Sequence, residues 1–134
     1  MRRNRERVFT GSPYEKKIGV CRAVRDGRCI AVTGTAPLGA DGKTVGKGDA
    51  AAQARRCFEI IESALKELGS GLADVIRTRI FLTRIQDWQT VAEIHGEIFR
   101  DVRPATTVVQ VVAFMDPDWL IEVEADAIAP ADES

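Results

Sequence analysis

This chain has little histidine, little cysteine and almost no net charge. Its three cysteines, Cys21, Cys29 and Cys57, contain no CxxC pair and have no zinc-like spacing with the one histidine, His95. The odd cysteine number, and a basic start (Met1 to Arg7) that leads into no apolar signal core, point to a reducing, cytoplasmic setting. No stretch approaches the length of a membrane span. A nucleophile elbow is missing, so a Ser-His-Asp triad finds no support. The glycines at Gly39, Gly42, Gly46 and Gly48 carry neither a P-loop lysine nor a dinucleotide fingerprint, and read as a mobile connection. A formal net charge of -1, with no stripe of basic and aromatic residues, argues against nucleic acid and anionic membranes as partners.

What is present is an ordinary globular composition, 45% apolar and 29% charged over 134 residues, a length that suits one domain spanning 1–134. Ala54, Phe58, Ile61, Leu65 and Leu68 recur at four-three spacing behind a candidate cap, Asp49, and ahead of a candidate stop, Gly69. A second helix is expected from about Asp87, its candidate cap, to Arg100, with Trp88, Val91, His95 and Ile98 on one stripe and Ile94 and Phe99 beside it. His95 on that inner stripe reads as a core or interface residue, and Cys57 as packing. Strands are expected near Arg7–Phe9, at Gly19–Val24 and Arg28–Thr33 about an Asp26-Gly27 hairpin signal, and at Val75–Leu82, Thr107–Ala113 and Leu120–Ile128. Strands, helix, strand, helix and two strands in that order make an α+β fold, a sheet covered on one face by two helices.

Such a sheet has a second face to hide. Val108, Val109, Val111, Val112 and Ala113 are interrupted only by Gln110, whereas a solvated face alternates. The expectation is that another subunit covers it. On the last strand Glu122, Glu124 and Asp126 share one side, and Arg77 and Arg79 on another strand are natural partners for them. Glu122 differs in lying nearest the loop Met115-Asp116-Pro117-Asp118-Trp119, which makes it the candidate general acid or base.

These segments in this order, Val32-Thr33-Gly34, Ala51-Ala52-Gln53-Ala54-Arg55, Val75 to Phe81, Arg103-Pro104-Ala105-Thr106-Thr107-Val108 and Ile121-Glu122-Val123-Glu124-Ala125, resemble the Rid (YjgF-type) family. The opening Gly11 to Lys17 and the Asp116-Pro117-Asp118 loop resemble a divergent subgroup. The resemblance implies a chorismate-mutase-like fold with a mixed sheet, assembled as a homotrimer with a β-barrel-like core and small-molecule clefts between subunits. It implies hydrolysis of enamines and imines such as 2-aminoacrylate, with no metal and no cofactor. Glu122 falls at the position of the glutamate that handles water, and Thr33 with Gly34 at that of the small hydroxyl residue. The family's carboxylate-binding arginine is replaced by Thr106 and its tyrosine by Val20; Arg22 and Arg103 are the candidate substitutes, and Trp119 completes the expected lining. The alternatives are a binding or regulatory trimer without turnover and, more remotely, RNA cleavage.

Overall fold

A computed structural model describes residues 4–131. Residues 1–3 of the basic start and residues 132–134 lie outside that range. The chain forms β1 (Glu6–Val8), β2 (Ala23–Asp26), β3 (Cys29–Thr35), α1 (Ala50–Glu67), β4 (Val75–Leu82), α2 (Trp88–Phe99), β5 (Ala105–Gln110) and β6 (Ile121–Ile128). The strands make one sheet in the order β1-β2-β3-β6-β4-β5. β5 runs parallel to β4, as a strand returned by the crossover helix α2 must, and the other pairs are antiparallel. Both helices cover one face, the α+β arrangement expected.

α1 forms where its periodicity says. Asp49 accepts the Ala52 amide at 3.1 Å, satisfying one of the helix's orphan donors. All five residues of the apolar stripe are buried, which contributes on the order of 10 kcal/mol before entropy. Gly69 takes φ +76°, so the Ser70 and Gly69 amides turn back to the Leu65 and Lys66 carbonyls and close the helix.

Elsewhere the structure departs from what the local sequence signals suggest. The segment from Gly19 is not strand: an i to i+5 turn over Glu15–Gly19 precedes it, and β2 begins at Ala23. Asp26 pairs with Cys29, so the two-residue hairpin loop is Gly27-Arg28, with Gly27 at φ +62°. β5 starts two residues earlier than expected and stops at Gln110, leaving Val112 fully exposed. Asp87 does not cap α2; its carboxylate is taken by Arg84 Nε at 3.0 Å. Trp88 lies exposed at the helix start, and the core contacts of α2 come from Val91, Ile94 and Phe99. The glycine-rich loop is anchored: Gly39 N bonds Lys43 O, and Gln53 holds the Gly46 carbonyl at 3.1 Å.

Candidate functional site

β6 crosses the middle of the sheet and alternates strictly. Ile121, Val123, Ala125 and Ala127 are buried beneath the helices, while Glu122, Glu124 and Asp126 project from the opposite face half-buried. Arg79 reaches Glu124 at 3.5 Å and Asp126 at 3.2 Å, answering two of the three carboxylates. Of the two arginines expected to pair with this row, Arg79 alone does so among the described residues. These partly exposed pairs are worth under about 1 kcal/mol each. Glu122 is treated differently by its neighbours.

The difference comes from β3. Val32 pairs with Ala125 and Thr35 with Val123, so Thr33 and Gly34 both stand opposite Glu124 in a bulge. A Cβ on Gly34 would lie 3.0 Å from Glu122 Oε1, so the glycine is what lets the carboxylate settle against the bulge. Arg22 braces the same backbone: its Nη1 donates to Gly34 O at 3.1 Å and Thr35 Oγ1 at 2.9 Å, with a longer contact to Thr33 O. Thr33 Oγ1 is spent on the Cys21 carbonyl at 2.7 Å. Burial raises the Glu122 carboxyl above its ordinary pKa; the Arg22 charge opposes the rise and Glu124 adds to it. Arg22 is itself lowered by burial, against the pull of Glu15 and Glu122.

Two features beside this centre escaped the sequence reading. Glu15 is buried, which acts to raise its pKa, yet the Thr10 amide, the Thr10 hydroxyl and the Gly11 amide all donate to its carboxylate and, with Arg22, hold it below the usual value. Gln53 is fully buried and spends its whole amide on backbone: Nε2 on Gly46 O and Asp118 O, Oε1 on Leu120 N at 2.8 Å. It thereby pins the loop that leads into Glu122. Its signal was its place in the row Gln53, Cys57, Ile61, spaced by four, as a polar residue on a buried helix face. Trp119, in that loop, is buried, and its Nε1 has no hydrogen-bond partner among the described residues.

Thr106 lies elsewhere. β5 pairs it with Thr78, whose side chain points to the helical face, whereas Glu122 pairs with Phe81 and points to the other. Three registers, roughly 10 Å along the strand, also separate them. Arg103 is farther still; it sits exposed at φ +54° with Nε on Arg100 O, beyond the start of β5. Val20 is partly exposed just after the turn, two residues before Arg22. One chain therefore assembles Glu122, Arg22, Thr33 and Gly34, and leaves Thr106 and Arg103 outside. At Thr106 the chain builds a separate polar cluster with Thr78 and His95 on the helical side of the sheet.

A carboxyl held above its ordinary pKa at an arginine-braced bulge is suited to proton exchange closer to neutrality than a free glutamate. The family described as Endoribonuclease L-PSP matches residues 18–129, and the chain belongs to it; this is the YjgF/Rid family. An uncharacterized protein of Streptomyces coelicolor, SCO2049, is 38% identical over 96% of this chain and 95% of its own length. The 3-aminoacrylate deaminase RutC of Acinetobacter baylyi is 36% identical over 78% of this chain and 82% of its own. Among solved structures, Rv2704 of Mycobacterium tuberculosis, a member of the YjgF/YER057c/UK114 family, superposes with a TM-score of 0.85 at 42% identity, covering 94% of this chain and 100% of that one. Among the described residues no helix is long and apolar enough to cross a membrane.

Proposed function

We propose that the chain works as a homotrimer that binds a small metabolite in clefts between subunits and hydrolyses an enamine, imine or related substrate, with Glu122 as its acid and base. The observation that carries this reading is Glu122 itself: a carboxyl raised by burial, seated on Gly34, and steadied by the Arg22-braced bulge. The deaminase name of the Acinetobacter relative supports the reaction class. In hydrolysis of an imine, the carboxylic acid form of Glu122 protonates the nitrogen and the carboxylate then takes a proton from the attacking water. A pKa displaced upward serves both steps better than an ordinary glutamate. Thr33, with its hydroxyl committed to Cys21 O, and Gly34 would shape the floor, Val20 an apolar wall and Arg22 the electrostatics, while Trp119, buried in the single chain, would back the loop that leads into Glu122.

The cleft needs a neighbour. Thr106 and Glu122 lie on opposite faces of one chain, so a ligand touching both must lie between copies. Support comes from β5, exposed along its whole length, with Val108 at 36% and Val109 at 40% on its two sides. An unpaired, apolar edge strand is a liability unless covered.

Val20 and Thr106, standing where the resemblance implies a phenol and an arginine, favour one second reading, a ligand-binding trimer without turnover. One experiment separates them. Purified protein is added to freshly generated 2-aminoacrylate and 2-iminopropionate, and residual imine is trapped with semicarbazide. The hydrolytic reading expects accelerated decay that disappears in Glu122→Ala. Decay that Glu122→Ala leaves unchanged contradicts it, and no acceleration by a folded trimer favours the binding reading.

A further inference from the structure

Thr106 is not an isolated hydroxyl. Its Oγ1 lies 2.8 Å from Thr78 Oγ1, which lies 2.9 Å from His95 Nε2; the direct Thr106 to His95 separation is 3.4 Å. Thr78 is 1% exposed, so the centre of this relay is dry, while Thr106 on the edge strand is its solvent-facing end. The imidazole is wedged against aromatic rings, Phe99 at 4.6 Å and Phe58 at 5.8 Å between centroids. Burial, with no charged group contributing, lowers its pKa, so it is neutral at physiological pH. Arg103, the nearest arginine in sequence, has its Nε turned to Arg100 O. The side chains bonded to Thr106 among the described residues are the Thr78 hydroxyl and the His95 imidazole, with no cation between them.

The relay has two proton arrangements. With the proton on Nδ1, His95 Nε2 accepts from Thr78, Thr78 accepts from Thr106, and Thr106 offers a lone pair. With the proton on Nε2, the direction reverses and the Thr106 proton leaves the relay; it then points to Pro104 O at 3.2 Å, a long bond that a ligand carbonyl would have to replace. Switching tautomers costs no charge, so the same three residues can meet a carbonyl or an N–H. A carboxylate, which can only accept, would find one hydroxyl donor there, in one of the two arrangements, and no cation to offset the loss of its hydration.

We propose that the Thr106–Thr78–His95 relay is the second anchor of the ligand site and selects a ligand whose end remote from Glu122 carries an uncharged hydrogen-bonding group, an amide or a comparable carbonyl, in place of a carboxylate. This rests on the reading that Thr106 of one copy and Glu122 of another share a cleft, and it adds the substrate class.

The test titrates the full-length protein with two probes that differ only at that end, pyruvate and pyruvamide, following backbone amides and the 15N resonances of the His95 ring by NMR. The expected result is tighter binding of pyruvamide, by about tenfold, with shifts at Thr106, His95 and Gly34. Thr106→Val should abolish the preference, and Thr106→Arg should reverse it by supplying a bidentate partner for the carboxylate. Equal binding, a preference for pyruvate, or pyruvamide binding that leaves His95 unmoved overturns the anchor; shifts at Gly34 in those cases leave the cleft reading standing. If neither probe moves Thr106, His95 or Gly34, both readings fall together.

Discussion

At the scale of single residues, Glu122 is held where charge is unwelcome, and that has an energetic sign. Its folded pKa is raised, so it contributes stability below its ordinary value, and that contribution is lost as pH rises through the folded value. Glu122→Gln removes the charge and keeps the shape. It is expected to be as stable as the parent or slightly more so at pH 7 to 8 in urea titrations, an advantage that shrinks near pH 4. A variant markedly less stable at neutral pH would mean that the charge is a structural prop. Gly34→Ala probes the same contact from the other side. The new methyl meets the movable end of a side chain, so the fold should lose less than about 1 kcal/mol while the carboxylate is displaced and catalysis falls. Glu122 was legible because strand alternation and proximity to a loop single it out. Gln53 and Thr78 were not, since apolar periodicity registers a buried polar residue as a gap, and only the partners that satisfy it reveal its role.

At the scale of elements, legibility followed the strength of the local signal. α1 has a cap, an apolar stripe and a glycine stop that agree with one another, and all three form. Gly69→Ala should lower stability by about 1 to 2 kcal/mol, because alanine at φ +76° is strained and the closing hydrogen bonds depend on that turn; an unchanged thermal midpoint would show that the helix end relaxes without cost. Asp87 failed as a cap because Arg84, three residues earlier, offers its carboxylate a charged partner. The strand expected from Gly19 failed because residues 15–19 close a turn. The bulge at Thr33 and Gly34, on which the site depends, has no one-dimensional signature: two residues face one only because β6 lies alongside, a long-range fact.

At the scale of the whole molecule, the α+β fold followed from element order, and the position of Thr106 did not, because strand register decides which face a residue occupies. The exposed β5 carries the expectation of assembly. Sedimentation velocity should give a trimer for the parent, and Val109→Lys, placing a charge on that strand, should shift it toward monomer with its circular dichroism retained. A parent that sediments as a monomer at high micromolar concentration would contradict the shared cleft.

If Glu122 exchanges protons with the substrate, the pH dependence of imine decay carries its titration. The rate should show a limb whose apparent pKa lies above the ordinary carboxylate value of 4.5, the direction in which burial moves Glu122. In Glu122→Gln that limb should vanish together with most of the rate. A parent and a Glu122→Gln variant with the same rate and the same pH profile would contradict the account.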